Sequence, residues 1–405
     1  MNKLIRIREW IGKRGDTTPL FLLLAMIDRW IMLHLSIGGS FFGSSYYNTY
    51  TLQAMAWRSG SLHLPYDYPA LELAIYEGNF YVSFPPLPSL ILLPFTFLFG
   101  YQTPDNLLVK VYIVIACLAI YFSLRHTGYS KLSAGLFAYL FCFASSMLPM
   151  TLNGAVWYHA QVLAFLMMIL SISFLIQDHP TPALLFYALS VACRPFDALY
   201  ALPIFFTYYI INRRARQPLQ ATIKALLPGV GLGLCVALGL AIYNFARFGN
   251  PLEFGHNYLP EFSFQGGTQF SLQHVGNNLK TFLFGMPLEN TYNGLQFKQF
   301  GYSFLIACPV LLLMLIWGCA DLIRKRMRWE KAVILFTFFL HLFCLLLHRT
   351  FGGFQLGARY TVDLIPYAFF YLVLTPEKRK MHFAEGALLI AGLIFTCWGV
   401  TQVHI

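Results

Sequence analysis

The stretch FLIACPVLLLMLIW, Phe304 to Trp317, decides the fold, because it has no charged side chain and no polar one apart from the thiol of Cys308. An amphipathic surface helix has one polar face, and a strand of a membrane barrel alternates polar and apolar residues. This stretch has no polar face and no such alternation. It therefore predicts a helix that is surrounded by lipid or by other helices. The run from Val109 to Tyr121 is equally apolar except at Lys110.

The composition extends this prediction to the whole chain. Of 405 residues, 58% are hydrophobic and 11% are charged. Such a chain cannot cover itself with a water-soluble surface. Lipid forces each spanning segment to satisfy its own backbone hydrogen bonds, and a helix does this in roughly 17 to 25 residues. We expect an all-α polytopic membrane protein that forms a single domain, residues 1–405.

The apolar segments predict about eleven transmembrane helices. They lie near residues 19–37, 109–124, 131–148, 155–176, 182–193, 195–211, 222–247, 301–322, 331–348, 359–374 and 383–401. Counting Pro85 to Phe99 as a further span would place Arg125 to Lys131 on the outer side, against the positive-inside rule. We therefore expect a juxtamembrane helix there. Residues 38–106 and 248–300 become two large external loops.

The net charge of +11 is concentrated in short segments between the spans. These are residues 3–14, 125–131, 213–224, 324–331 and 378–380. Basic short loops are typical of a cytoplasmic face in contact with anionic lipid. This distribution predicts a cytoplasmic N-terminus and membrane-lipid contacts, and it argues against nucleic-acid binding. All eight cysteines lie in apolar segments, so no disulfide framework is expected.

Four segments have a pattern that can be compared with known families: EGNFYVSFPPLPSLILLPFTFLFG (77–100), RPFDALYALP (194–203), YNFARFGNPLEFGHNY (243–258) and FQLGARYTVDLIP (354–366). Together they resemble the GT-C superfamily of membrane glycosyltransferases. The resemblance implies a GT-C-like fold in a bacterial inner membrane. It also implies that a sugar on a polyprenyl-phosphate lipid is transferred, outside the cytoplasm, to a glycan, lipid or protein acceptor.

An external carboxylate would then deprotonate the acceptor as it attacks the sugar. The acids of the external loops are Asp67, Glu72, Glu77, Asp105, Glu253, Glu261 and Glu289. Family members commonly place an Asp soon after the first span, where this chain has Asn48, and an amide cannot act as a base. We predict Glu72 as the catalytic base, since apolar neighbours could partly desolvate it, with Asp67 as second choice. The alternatives are an exposed solubilising Glu72 and a simple turn around Asp67.

Four arginines are predicted at the outer ends of spans, where the positive-inside bias disfavours them: Arg194, Arg247, Arg349 and Arg359. Arg359 would begin a helix at its positive dipole end, a conflict that a bound phosphate would relieve. The alternative is an ion pair with Asp363, four residues further on. Arg194 has the same ambiguity with Asp197. Tyr76, Asn48 and His159 complete the predicted substrate-binding set, although a packed interfacial role for His159 is also open.

The aromatic run Phe41, Phe42, Tyr46, Tyr47 and Tyr50 is compatible either with stacking on sugar rings or with an interfacial aromatic belt. No cofactor and no metal ligand set is predicted, and a divalent metal is left open. Three functions stay in competition. They are a GT-C-like glycosyltransferase, a non-catalytic GT-C-like protein of envelope polysaccharide assembly, and a transporter or flippase for a lipid-linked sugar.

Overall fold

The computed structural model describes residues 15–260, 269–292, 294–350, 352, 355–375 and 380–403. The α-helices are α1 (Thr18–Ile37), α2 (Thr49–Arg58), α3 (Leu87–Phe99), α4 (Asp105–His126), α5 (Lys131–Phe143), α6 (Met147–Met150), α7 (Val156–Ile176), α8 (Pro180–Val191), α9 (Ala201–Arg214), α10 (Leu219–Phe248), α11 (Val275–Phe284), α12 (Phe304–Ala307), α13 (Pro309–Ile323), α14 (Trp329–Leu346), α15 (Ile365–Val373) and α16 (Phe383–Gln402). The longer 3₁₀ helices are Pro195–Tyr200 and Arg359–Leu364.

Within these described ranges, six helices are long and apolar enough to cross a membrane: α1, α4, α7, α10, α14 and α16. Helices α3, α5, α8 and α13 are apolar but shorter. The prediction of a helical multi-pass membrane protein is confirmed. The number of eleven spans, the side of the N-terminus and the extent of the domain stay predictions. The basic cluster at residues 3–14 and most of that at 378–380 lie outside the described residues.

Four of the predicted spans are not continuous α-helices. The span at 131–148 is split between α5 and α6, and the span at 301–322 is split before Pro309. The spans at 195–211 and 359–374 each begin as a 3₁₀ helix. Proline lacks the N–H that an α-helix needs, and Pro195, Pro309 and Pro366 stand at three of these transitions. Non-helical backbone at membrane depth is tolerated where it is buried in protein or lines a cavity.

Helix α7 is the centre of the bundle. Of its most apolar window, 83% is buried inside the protein, against 6% for α10. It packs against α4, α8 and α15. Because α7 is apolar and largely buried on every side, its faces contact protein and not lipid. It therefore fixes the positions of the helices around it. By contrast, α10 packs mainly against α8, and few of its 30 residues are fully buried.

The two segments predicted as external loops are structured. The first contains α2, the hairpin β1 (Leu73–Tyr76) with β2 (Asn79–Val82), and α3. The second contains α11 and the hairpin β3 (Leu288–Thr291) with β4 (Gly294–Phe297). Helix α3 packs against α2, and Arg58 on α2 donates to the carbonyl of Thr96 on α3. The predicted Pro85 to Phe99 helix is thus present, and its place at the membrane interface stays a prediction.

Candidate functional site

A cavity of about 530 Å³ lies where the two loops that are predicted to be external meet the ends of the spans. The first loop contributes Tyr50, Glu72 and Phe84, and the second contributes residues between Leu252 and Phe270. The start of α7, the connection before Pro195, the end of α14 and the start of the 3₁₀ helix at Arg359 complete the wall. The cavity therefore joins parts of the chain that are far apart in sequence.

Arg359 lines this cavity as a buried cation. Its residue surface is 6% exposed, and its Nε is buried without a hydrogen-bond partner. The guanidinium carbon lies 5.1 Å from the centre of the Tyr360 ring and 5.8 Å from that of Tyr158. Aromatic faces attract a cation but do not neutralise it.

The interpretation that Arg359 pairs with Asp363 is wrong. The Oδ2 atom of Asp363 accepts hydrogen bonds from Arg194 Nε at 2.9 Å and Nη2 at 2.7 Å. Its Oδ1 atom accepts from Gln161 Nε2 at 3.0 Å. Both carboxylate oxygens therefore have other partners.

The alternative pairing of Arg194 with Asp197 is also wrong, because Arg194 pairs with Asp363. Asp197 instead accepts a hydrogen bond from the hydroxyl of Ser190. Within the described part of the chain, no carboxylate forms a salt bridge with Arg359, so its charge faces the cavity uncompensated.

Gly352 lets Arg359 lie where it does. Gly352 has φ +97°, and a Cβ added there would be 2.7 Å from Arg359 Nη2 and 3.0 Å from Nε. Both values are shorter than van der Waals contact, so any side chain at this position would displace the guanidinium. The φ value is also one that L residues rarely adopt.

Two histidines of the wall are uncharged at neutral pH. Partial burial, reinforced by His348 and Arg194, lowers the pKa of His256 to about 4. Burial also lowers the pKa of His348, with Arg194 and Arg359 acting in the same direction. The positive charge of the cavity therefore belongs to its arginines. Neither histidine would contribute charge until the solution is well below neutral pH.

Glu72 lies at the rim of the cavity. Its Oε2 accepts a hydrogen bond from the indole N–H of Trp157 at 2.9 Å. The residue is exposed, contrary to the expectation that apolar neighbours partly desolvate it. The reason is that Glu72 immediately precedes β1, whose hairpin projects it outward. Its role as a base stays a prediction.

The other acids are placed less favourably for chemistry in this cavity. Asp67 is exposed and does not line it, and Glu77 occupies the tight turn between β1 and β2. Glu253 lines the cavity, but its two carboxylate oxygens accept from Gly255 N at 2.6 Å and Asn257 Nδ2 at 2.7 Å. Asp105 is buried elsewhere, accepting from the backbone N–H of Ser45 at 2.7 Å. Glu261 lies outside the described residues.

The remaining predicted binding residues are not brought to this cavity. Arg247 donates to the Val82 carbonyl at 2.7 Å and to Asn244 Oδ1 at 2.8 Å. Tyr76 packs against Phe248 and Tyr258, and Asn48 caps α2 with its carbonyl. His159 is fully buried between the rings of Tyr50 and Tyr112. The backbone N–H of Arg349 donates to the carbonyl of Gln269 at 2.9 Å, next to the lining residues His348 and Thr350.

Three residues of the site were not singled out in the sequence: Trp157, Gln161 and His256. Gln161 could have been identified from the sequence, since an uncharged polar side chain in the apolar segment 155–176 needs a hydrogen-bond partner within the bundle. Trp157 and His256 could not have been identified in this way, because only the tertiary fold brings them to the cavity. Among the described residues, no three His, Cys, Asp or Glu side chains are grouped to hold a metal ion. The metal and cofactor question stays at the level of a prediction.

Comparison with known proteins identifies the fold. No protein-family model and no curated protein matches the chain. Solved structures do. The oligosaccharyltransferase of Archaeoglobus fulgidus superposes with a TM-score of 0.54 and 12% identity, over 98% of this chain and 56% of its own. ArnT from Cupriavidus metallidurans, bound to undecaprenyl phosphate, gives 0.52 and 12%, over 94% of this chain and 64% of its own.

Both of these proteins are GT-C membrane glycosyltransferases. The chain has the GT-C fold. The resemblance seen in the sequence segments is thus confirmed for the fold. At 12% identity the likeness to these structures extends no further than that. The chain spans between 56% and 64% of the length of these two proteins. A second structure of the archaeal enzyme, AglB, holds an inhibitory peptide and a dolichol-phosphate.

Proposed function

We propose that this GT-C protein is a glycosyltransferase of the bacterial inner membrane. It takes a sugar from a polyprenyl-phosphate-linked donor and transfers it to a glycan, lipid or protein acceptor on the extracytoplasmic face. The observation that carries the proposal is the uncompensated guanidinium of Arg359 in the cavity between the external loops. A buried cation without a carboxylate partner requires an anion, and a phosphate offers several acceptor oxygens to a guanidinium.

The arrangement around Arg359 supports a phosphate site in particular. Asp363, which would neutralise Arg359, is held by Arg194 and Gln161. The neighbouring histidines are neutral and can donate or accept hydrogen bonds without adding charge. Among known proteins of this fold, ArnT holds undecaprenyl phosphate and AglB holds a dolichol-phosphate, which supports a polyprenyl phosphate as the anion.

The chemistry follows from these positions. The acceptor hydroxyl or amine attacks the anomeric carbon, and the bond from that carbon to the phosphate oxygen breaks. Arg359 stabilises the negative charge that develops on the departing lipid phosphate. Glu72, which lines the same cavity, takes the proton of the acceptor. This assignment makes Arg359 and Glu72 the two side chains on which transfer depends.

One observation favours a second candidate function. Among the described lining residues the acids are Glu72 and Glu253; the first is exposed, and the second is engaged by its own loop. With Asn48 in place of the family's Asp, a protein that binds a lipid-linked sugar without transferring it is the alternative. It would use the Arg359 site and no base.

Binding of undecaprenyl phosphate to the purified protein in nanodiscs tests the phosphate site, with undecaprenol as the matched neutral lipid. The wild-type protein should prefer the phosphate, and Arg359→Gln should lose that preference. Arg359→Lys should recover only part of it, since lysine cannot offer a planar pair of donors. Equal preference in the wild-type and Arg359→Gln proteins would refute the assignment.

Arg58→Gln is the matched control, since Arg58 lies on the first external segment and outside the cavity. It should bind undecaprenyl phosphate as the wild-type protein does. A transfer assay with a radiolabelled polyprenyl-phosphate sugar then separates the two functions. Product formation supports the glycosyltransferase, whereas binding without product supports the non-catalytic protein. Movement of unmodified donor across a vesicle membrane would favour a flippase instead.

A further inference from the structure

Three aromatic rings form a continuous row between the first external segment, which carries Tyr46 and Tyr47, and the start of α7, which carries Trp157. The Tyr46 and Tyr47 rings have centroids 5.2 Å apart, and the Tyr47 and Trp157 rings are 5.0 Å apart. Tyr46 is 72% exposed. At the other end, Trp157 lines the main cavity and donates its indole N–H to Glu72. The row therefore leads from the protein surface to the predicted base.

A second cavity, of about 230 Å³, lies at the outer end of this row. Tyr46 forms part of its wall, together with Ser40, Ser44, Ser45, Asn106 and Asn153. The hydroxyl and amide groups share this wall with Ile37, Leu152 and the imidazole of His34. The described lining residues include no Asp, Glu, Lys or Arg. Such a wall suits an uncharged ligand that has many hydroxyl groups.

The polar groups of the second cavity are held in place by hydrogen bonds. Asn106 Oδ1 accepts from the backbone N–H of Gly154 at 2.6 Å, and its Nδ2 donates to the Ser40 carbonyl at 3.1 Å. Ser45 Oγ donates to Asn153 Oδ1 at 2.7 Å. The Nδ2 of Asn153 and the hydroxyl of Tyr46 have no hydrogen-bond partner among the described residues. The cavity is thus rigid yet retains hydrogen-bonding groups for a ligand.

An interfacial aromatic belt does not account for this row. Belt residues face the lipid headgroups, whereas Trp157 faces a cavity and is fixed there by a carboxylate. A ring with a fixed orientation offers an apolar face to the C–H groups of a sugar. The carboxylate beside it accepts hydrogen bonds from sugar hydroxyls.

We infer that the acceptor is a neutral oligosaccharide, which lies along Tyr46, Tyr47 and Trp157. One part of it occupies the second cavity, and its reactive end enters the main cavity beside Glu72. This inference rests on the proposed glycosyl transfer and names its acceptor class. It also implies a length dependence, because a glycan that contacts both cavities should bind more tightly than one that contacts a single cavity.

An array of bacterial surface glycans, from disaccharides to octasaccharides, tests the inference on the full-length protein in nanodiscs. The wild-type protein should bind longer glycans more tightly than disaccharides. Tyr46→Ala should weaken binding of the longer glycans by about tenfold, as expected for loss of one aromatic contact. Tyr46→Phe should bind within about threefold of the wild-type protein, because the ring remains.

Tyr292→Ala serves as the control, since Tyr292 is fully exposed on the other external segment, outside both cavities. Undecaprenyl phosphate binding, measured on the same samples, should be unchanged by Tyr46→Ala. If the wild-type protein did not bind undecaprenyl phosphate, that result would count against the phosphate site and not against the glycan row. The inference is overturned if the wild-type protein binds no glycan, if Tyr46→Ala binds glycans normally, or if a peptide array is bound in their place.

Discussion

Arg194 and Asp363 form an ion pair across the bundle, with 2.7 Å between Nη2 and Oδ2 and a side-chain exposure of 23% and 2%. The two residues are 169 positions apart: Arg194 immediately precedes the 3₁₀ helix Pro195–Tyr200, and Asp363 lies within the 3₁₀ helix Arg359–Leu364. The pair joins two segments of the cavity wall. It also removes the carboxylate that would otherwise neutralise Arg359.

Replacing Asp363 by Asn should destabilise the protein by about 3 kcal/mol, because it leaves Arg194 as a mostly buried, unpaired cation. Thermal unfolding in detergent measures the effect. The double variant Arg194→Met, Asp363→Leu should recover much of the loss, since both charges are then removed. Asp67→Asn, at an exposed position, is the control. A single variant as stable as the wild-type protein would show that the pair contributes little.

Glu72→Gln should reduce sugar transfer by about 10²- to 10⁴-fold if its carboxylate takes the acceptor proton. Binding of undecaprenyl phosphate should stay at the wild-type level. Trp157→Phe, which removes only the indole donor to Glu72, should have a much smaller effect on transfer. Glu77→Gln, in the hairpin turn, is the matched control. Wild-type rates for Glu72→Gln would remove Glu72 from the mechanism.

Gly352→Ala should weaken undecaprenyl phosphate binding by about tenfold without changing the protein's charge, because the added Cβ displaces the Arg359 guanidinium. Gly60→Ala separates this effect from backbone strain. Gly60 also has a positive φ, of +79°, but a Cβ there meets nothing within 4 Å. If both variants bind the lipid equally well, the position of the Arg359 guanidinium does not determine affinity.

Acidification should destabilise the protein through His256. Its pKa is about 4 in the folded protein, below the usual value of about 6.5, so the unfolded chain binds the proton more readily. The stabilising effect of the neutral imidazole is complete above about pH 6.5 and is lost as the pH falls towards 4. His256→Gln should flatten this part of the stability profile, measured by unfolding between pH 4 and 7. An unchanged profile would contradict the assignment.

Arg247→Gln should lower stability by about 1.5 to 3 kcal/mol, because Arg247 connects α10 to the hairpin through the Val82 carbonyl. Undecaprenyl phosphate binding should be unaffected, since the guanidinium lies outside the cavity. Thermal unfolding and lipid binding on one preparation distinguish Arg247 from Arg359. A selective loss of lipid binding would show that Arg247 belongs to the phosphate site.

Hydrophobicity was sufficient to predict the helical membrane fold, because lipid leaves the backbone few other options. The distribution of basic residues also predicted that the two large loops and Arg359 lie on the same side of the membrane, and that sidedness stays a prediction. The sequence pattern could not predict whether Arg359 has an ion-pair partner. Residues four apart share a face on an α-helix, but Arg359 and Asp363 lie on a 3₁₀ helix, whose three residues per turn separate them by about 120°.

Glu72 shows a second limit of prediction from sequence. The apolar residues around it suggested a desolvated carboxylate, yet the β1–β2 hairpin turns it outward. Its contact with Trp157 joins positions 85 residues apart, and no local pattern contains that information. The spacing of acids along the chain therefore identified the candidate but not its surroundings.

Helix α10, with 30 residues, is about 45 Å long at a rise of 1.5 Å per residue, whereas the hydrocarbon core of a bilayer measures about 30 Å. The excess must be accommodated by tilting or by extension into the headgroup region. Because α10 ends where the second external segment begins, its tilt sets how high that part of the cavity wall stands above the lipid. We therefore expect lipids of different acyl-chain length to change the tilt of α10 and, with it, the position of that part of the cavity wall.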